Sequence, residues 1–355
     1  MKRVILIDPI KDPRWDQFVM DHPFGWICHL SGWKQVLENS FKHMKGYYFA
    51  LMDDAGEKIQ AGLPVFHVKS RLTGNRLVSI PFATLCDPLI SKSEDLDTLF
   101  QAVLNLSKKT KSCFIEIRTL LSTSLVQQDN GLRRVNFFKH HHLPLDNEIE
   151  NIKKSFHRNI RYDINKALKS GLTLRQGNDI SDLSKFYELH CLTRKRLGLP
   201  AQPFLFFKSL FEFLRSSNRG KLFLAETNGQ LAAAGICLTF KNRFIDEYKA
   251  WDRKYNSLRP NYFLYWKTIE MAHTQGYEIF DFGRTSPGNK GLMFFKDRWG
   301  TITTNLPQFY CPGRAFDNIA NREASLKYKL INSTCKKIPN FAYRYLGNFI
   351  YNHMG

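Results

Sequence analysis

Residues 222–282 read LFLAETNGQLAAAGICLTFKNRFIDEYKAWDRKYNSLRPNYFLYWKTIEMAHTQGYEIFDF, and this stretch decides the fold. Leu222 to Glu226 is a β-rich run. Asn228-Gly229 supplies the positive-φ pair of a tight hairpin turn, and Leu231 to Phe240 returns as a longer strand. Arg243 to Trp251 continues the meander. Pro260 stands at the start of a helix running from Asn261 to Thr274, where its fixed φ suits the first turn and its missing N–H costs nothing. Tyr277 to Phe282 is the next strand. The reading is a sheet that begins antiparallel and ends with a strand–helix–strand crossover.

Downstream come a Gly/Pro/Ser loop, a short helix around Leu292–Arg298 and a strand pair near Thr301–Tyr310. Upstream, Asp146 is expected to cap one long helix whose apolar residues Ile149, Ile152, Phe156, Ile160, Ile164 and Leu168 recur at spacings of three and four. Gly171 ends it. A strand at Leu172–Arg175 and helices at Ser181–Leu197 and Pro203–Ser216 lead into the opening stretch.

The first half repeats this order in degraded form. It has a strand at Arg3–Ile7, helices at Asp12–Met20 and Ser31–Glu38, and a hairpin of Tyr47–Met52 with Ile59–Val68. A strand near Leu77–Pro81, a helix from Ser93 to Lys109 and a strand at Cys113–Arg118 follow, then a less regular stretch to Leu143. The element order resembles that of an N-acyltransferase (GNAT-like) domain. The expected fold is therefore α/β with mixed sheets: two tandem GNAT-like domains over 1–145 and 146–315, and a basic aromatic tail over 316–355.

The length of 355 residues agrees with two domains at roughly 150 residues each. A hydrophobic share of 43% excludes a wholly disordered chain. No apolar run approaches the roughly 20 residues that cross a bilayer, and Asp8, Lys11 and Asp12 break up the start, so no secretory leader is read there. The expected location is cytoplasmic. The cysteines at 28, 86, 113, 191, 237, 311 and 335 are scattered with no CxxC, which speaks against a disulfide framework or a zinc site. Lys+Arg of 52 against Asp+Glu of 32 gives a formal charge of +20, an excess that attracts nucleic acid, anionic lipid or a diphosphate-linked substrate.

Four segments carry a more specific resemblance: His29-Leu30-Ser31-Gly32-Trp33; FHRNIRYDINKALKSGL from Phe156; FYELHCLTRKRLGLPAQPFLFF from Phe186; and FDFGRTSPGNKGLMFFKDRWG over 280–300. In order and spacing they resemble the FemAB family of tandem GNAT-fold enzymes that join amino acids to peptidoglycan precursors. The tail KKIPNFAYRYLGNFIYNHMG is similar to the ending of a branch found with exopolysaccharide systems. The resemblance implies acyl transfer to an amine, with aminoacyl-tRNA as donor and a muropeptide or envelope glycan precursor as acceptor. It implies no tightly bound cofactor and no role for DNA. It places the family's Phe-Lys pair on Phe295-Lys296 and its central-strand tyrosine on Tyr248. Two positions depart. A diphosphate-holding lysine after the motif Trp33 is replaced by Leu37, with Lys34 one turn earlier, and an arginine of the same role is Gln202.

Acyl transfer to an amine needs a proton acceptor for the amine, donors for the tetrahedral oxyanion and a proton for the leaving group. Lys296 is a cation after a Gly-rich loop, suited to the oxyanion or the leaving oxygen. Asp281, at a strand's C-terminal end where ligands gather in open α/β sheets, is a second candidate with Arg284, either orienting substrate or taking a proton. Glu247 and Tyr248 alternate along one strand and so face opposite sides. Arg259 and Asn261 flank a helix N-terminus, a favourable place for phosphate, although the usual Gln/Arg-x-x-Gly-x-Gly/Ala loop of acyl-CoA binding is missing. The basic face of residues 153–169 suits RNA backbone or is a solvated helix face.

His140-His141-His142 lacks the carboxylate spacing of a metal site, and no Walker, Rossmann or GxSxG pattern occurs. The tail, with Lys336, Lys337 and Arg344 among Phe341, Tyr345, Phe349 and Tyr351, suits either a peripheral membrane contact or a docked helix. The expected function is FemAB-like N-acyl transfer to an envelope precursor. The rivals are an acyl-CoA-dependent N-acetyltransferase of an exopolysaccharide amino sugar, and a basic RNA-binding or scaffold protein without chemistry.

Overall fold

The structure is a computed structural model that describes residues 3–126, 131–312 and 326–355, with the side chains of 326–328 left out. The opening of the expected tail, 316–325, lies outside the described residues. The chain divides into two compact units: residues 1–137, 305–330 and 345–355, and residues 138–304 and 331–344. The expected boundary at 145/146 thus stands beside an observed one at 137/138.

The first unit holds β1 (Val4–Ile7), α1 (Arg14–Asp21), α2 (Ser31–Ser40), β2 (Met44–Met52), β3 (Ile59–Val68), β4 (Arg76–Val78), α3 (Ser93–Thr110) and β5 (Ile115–Arg118). Pairing is antiparallel along β1-β2-β3-β4, and parallel between β4 and β5, which α3 connects. Leu96, Leu99, Phe100 and Val103 of α3 pack on Leu63, Val65, Ile115 and Ile117 of the sheet.

The second unit begins in β6 (Arg133–Pro144) and continues through α4 (Ile149–Ser155), α5 (Arg158–Leu168), β7 (Thr173–Gly177), α6 (Ile180–Arg196), α7 (Phe204–Ser217), β8 (Gly220–Thr227), β9 (Gln230–Phe240), β10 (Arg243–Trp251), α8 (Pro260–Thr274), β11 (Ile279–Thr285) and α9 (Lys290–Asp297). Its sheet runs β7-β8-β9-β10-β11-β6. Among its described pairings only β10 and β11 run parallel, joined by α8. The same plan, antiparallel strands and then one helix-linked parallel pair, thus appears twice, as the sequence predicts.

Three local expectations are corrected. The helix expected from Asp146 is two helices, with Phe156 in extended conformation between them. His157 caps the second, its Nδ1 accepting from the N–H of Asn159 at 3.2 Å. The irregular stretch before Leu143 is the 12-residue strand β6. The expected strand pair at Thr301–Tyr310 is one strand, β12 (Ile302–Cys311), whose residues 308–311 pair with β5 in the first unit.

The second core lies between the sheet and α5 and α8. Phe223, Phe244, Phe280 and Phe282 of the sheet meet Ile160, Ile164, Phe263, Trp266 and Ile269 of the helices. Each such buried side chain contributes about 1.5–3 kcal/mol relative to exposure, and together they fix where β10 and β11 end.

The tail forms α10 (Leu326–Lys337) and α11 (Asn340–Tyr351). Within the second unit Asn332 donates to Leu197 O at 3.1 Å and Tyr343 Oη donates to Leu199 O. Within the first, Tyr351 packs on Phe41 and Phe82, and Arg76 donates to the carbonyl of His353. Tyr343, Gly347 and Tyr351 form the buried face of α11, while Phe341, Tyr345 and Phe349 are exposed. Among the described residues no helix is long and apolar enough to cross a membrane.

Candidate active site at the end of the parallel strand pair

β10 and β11 pair through Arg243–Ile245 and Ile279–Asp281. Beyond that point a lysine holds the edge of β11: Lys296, from the last turn of α9, donates from Nζ to Gly283 O at 3.2 Å and to Arg284 O at 3.1 Å. It is 4% exposed, a buried cation rather than a solvated one. Burial pulls its pKa down to about 8, opposed chiefly by the nearby Asp246, with Asp281 and Glu247 acting the same way.

A β-bulge brings in a carboxylate whose charge acts on Lys296. Asp246 pairs with Cys237 and Tyr248 with Ile236, so Glu247 is an extra residue in β10. Asp246 and Lys249 share the α8 side, paired at 2.9 Å, with the Lys249 ammonium 3.1 Å from the centroid of Tyr265. Tyr248 faces α6 and α7, its ring packed on His190, Phe206 and Phe207. The simple alternation of Glu247 and Tyr248 expected from the sequence is thereby corrected. Glu247 stands outside the alternation and accepts no hydrogen bond from a described residue. Burial and the charge of Asp281 push its pKa up to about 8, against the pull of Arg284.

Asp281 is fully buried, and its oxygens are spoken for. They meet His140 Nε2 at 3.0 and 2.9 Å and Arg243 at 3.5 Å, and one accepts the N–H of Gly283 at 2.8 Å. Its pKa is lowered: burial raises it, but His140, Arg243 and the Gly283 N–H outweigh that. A carboxylate so occupied sets the local shape of β11 rather than receiving an amine proton. Its expected partner Arg284 instead stacks over the ring of Phe138, 4.7 Å away.

The other expected site residues separate into distinct settings. Phe295 is half-buried among Tyr262, Tyr265 and Trp299. Arg259, in left-handed conformation before α8, gives its Nε to Asp163 at 2.7 Å, and Asn261 follows Pro260 in the first turn. Gln202 accepts from His190 at 3.0 Å inside the α6–α7 packing. In the first unit Trp33 is 1% exposed, Leu37 is fully buried, and Lys34 pairs with Glu38 at 2.7 Å. The sequence reading missed Asp246, Lys249 and Arg243, and it treated His140 only as a possible metal ligand.

Residues 154–297 match the acetyltransferase (GNAT) domain family, a span that ends just after Lys296. The UDP-N-acetylmuramoylpentapeptide-lysine N(6)-alanyltransferase of Weissella viridescens is 22% identical over 301 residues, 78% of this chain and 85% of that protein. The chain is an acyltransferase similar to FemAB-like enzymes. Its fold is similar to the crystal structure of FemX, with a TM-score of 0.72 at 17% identity, covering 89% of this chain and 99% of that one. The chain is also similar in fold to a tandem GNAT protein from the clavulanic acid biosynthesis pathway, with a TM-score of 0.56 at 12% identity, covering 88% and 98%.

Proposed function

We propose that this chain transfers an aminoacyl group from a charged tRNA to an amine of a cell-envelope precursor. The observation that carries the reading is the buried Lys296 ammonium, held on two β11 carbonyls, with the unbonded Glu247 carboxyl near enough to act on its charge. The Weissella viridescens relative, named for alanyl transfer to a lysine of a UDP-linked muropeptide, supports the substrate classes.

The chemistry follows from the two groups. Glu247 takes a proton from the acceptor ammonium; the incoming positive charge favours its ionised form. The amine nitrogen attacks the ester carbonyl of the donor. Lys296 faces the tetrahedral oxyanion, where a fixed cation in a water-poor site counts most. Collapse forms the amide, breaks the ester and expels the ribose oxygen, which takes up the second proton shed by the attacking nitrogen, while Glu247 passes the ammonium proton it holds to solvent. Asp281, with His140 and Arg243, positions the β11 carbonyls that hold Lys296. Phe295 packs the helix that presents it.

The turn before α8 is where a GNAT enzyme would cradle a pyrophosphate. Here Arg259 is committed to Asp163, which favours the tRNA donor over acyl-CoA. The exposed Phe341, Tyr345 and Phe349 beside Arg344 suit contact with a membrane that carries a lipid-linked acceptor.

The test is a donor titration at fixed salt with bulk aminoacyl-tRNA, deacylated tRNA and acetyl-CoA, repeated with Lys296→Met. Preference for charged over deacylated tRNA that the variant loses is the expected result. Saturable acetyl-CoA binding with tRNA affinity indifferent to charging overturns it.

A further inference from the structure

Two cysteines of the first unit meet although they are far apart in the sequence. Cys28 lies in the single helical turn Ile27–His29 that leads into α2, and Cys86 in the loop that follows β4. Both carry buried thiols, 1% and 3% exposed. The Cys28 thiol donates to the carbonyl of Leu85 at 3.0 Å, which seats its sulfur against the peptide joining Leu85 to Cys86. From there it lies close enough to Cys86 to favour that side chain's ionised form as a hydrogen-bond donor. Burial pushes the phenol of Tyr48 up, and the charges of Cys28 and Cys86 add to it, so both sulfurs neighbour the same side chain.

The surroundings of Cys86 favour a thiolate. Burial raises its pKa, but Cys28, the guanidinium of Arg118, Ser79 and the N–H of Ile80 together hold it below its ordinary value. The N–H of Ile80 donates to its sulfur at 3.2 Å. Arg118, at the end of β5 and buried, is fixed beside the same loop by bonds from one guanidinium nitrogen to the carbonyls of Ile80 and Ala83, each 3.2 Å. At Cys191, Cys237, Cys311 and Cys335 burial instead pushes the thiol up. The thiolate is the form that attacks an oxidant, and a second thiol beside it supplies the partner that resolves the product.

We propose that Cys28 and Cys86 form a redox modification site that closes to a disulfide under a peroxide. The Cys86 thiolate attacks one peroxide oxygen; the O–O bond breaks, hydroxide leaves and a sulfenic acid forms. The Cys28 sulfur then attacks the Cys86 sulfur. The S–S bond forms, the S–O bond breaks, and the departing oxygen takes the Cys28 proton and leaves as water. The proton that Cys86 gave up on ionising turns the hydroxide into a second water. Two thiols thus lose two electrons to one peroxide. The new bond ties the turn ahead of α2 to the loop between β4 and α3, whose Leu89 already exchanges both backbone hydrogen bonds with Gly62 of β3, at 2.8 and 2.9 Å. The site lies wholly in the first unit and does not depend on the transfer reading.

The test uses the full chain, reduced and then exposed to hydrogen peroxide under native conditions. Remaining thiols are blocked with iodoacetamide, and peptides are mapped by mass spectrometry without reductant. The expected product is a linked pair of peptides carrying Cys28 and Cys86, lighter by two hydrogens than the sum of its parts and lost on treatment with dithiothreitol. Cys86 should be consumed about 10-fold faster than Cys237, which is as deeply buried but whose thiol is held un-ionised. The oxidised protein should melt above the reduced one and return on reduction, because the bridge restricts the unfolded chain. Cys28→Ser should leave Cys86 as a sulfenic acid that dimedone traps, with no rise in melting temperature; the wild-type peptide map decides the matter even where that variant folds poorly. The exposed Cys113 reports that the oxidant has acted. Oxidation of Cys113 with no link between Cys28 and Cys86, or a link that forms only in urea, overturns the proposal, as does loss of Cys86 no faster than that of Cys237.

Discussion

Lys296→Met keeps most of the length of the side chain and removes its charge, and it should make the protein more stable while ending its chemistry. Burial holds the ammonium at about 8 against an ordinary 10.5. A pKa gap of about 2.5 corresponds to about 3 kcal/mol by which the charged form disfavours the folded state near neutrality. Methionine escapes that term but leaves the Gly283 and Arg284 carbonyls without the donor, a loss of about 1–2 kcal/mol. The net gain at pH 7 is about 1–2 kcal/mol, which for a unit of this size raises the melting temperature by about 4 °C.

The pH dependence carries the sign. The folded-state pKa is depressed, so between pH 8 and 10.5 the unfolded chain holds a proton that the folded chain lacks. Wild-type stability contributed by this group therefore rises across that window. The advantage of the variant should shrink from pH 8 upward and reverse between about 9 and 10, leaving the variant the less stable protein at 10.5. Calorimetric melting of both proteins at pH 7, 9 and 10.5 measures it. Transfer should fall by about 100- to 1000-fold if the lysine faces the oxyanion. A variant that melts below wild type at pH 7, with a difference that stays constant to pH 10.5, would refute the reasoning.

Glu247→Gln should remove the rising limb of the kcat/KM profile. In wild type that limb runs through about 8 as the carboxyl ionises, and a falling limb near the same pH follows as Lys296 loses its proton, giving a narrow bell. Asp281→Asn leaves Arg243 and His140 facing a neutral amide, and a loss of about 3–5 kcal/mol in urea denaturation is expected. Gly198→Ala puts a side chain at a φ of 73° and against Asn332, so trypsin should cleave within α10 faster than in wild type, with little change in global melting.

The repeated strand order was legible because the hairpin turns and the helix at Pro260 have strong local signals. The strand β6 was not, since the residues it buries most deeply, His140 and His141, are polar and found their partners only in Asp281 and Thr303. The break at Phe156 was hidden because the apolar spacing of Ile152, Phe156, Ile160 and Ile164 runs straight through it. Lys296 was found by its neighbours in the motif, but its burial depends on two carbonyls of β11 that no local pattern reveals. Trp33 and Lys34 mark a recognisable motif, yet the thiol pair just ahead of it needs Cys86 from the loop after β4, brought in by folding alone.

The bulge in β10 has an evolutionary side. Since Asp246 and Lys249 point one way and Tyr248 the other as if Glu247 were not there, one codon can be gained or lost at this point without turning the rest of the strand over. A sheet of this plan can therefore acquire or shed an acid at its fork in a single insertion or deletion, leaving the aromatic packing on both sides as it was.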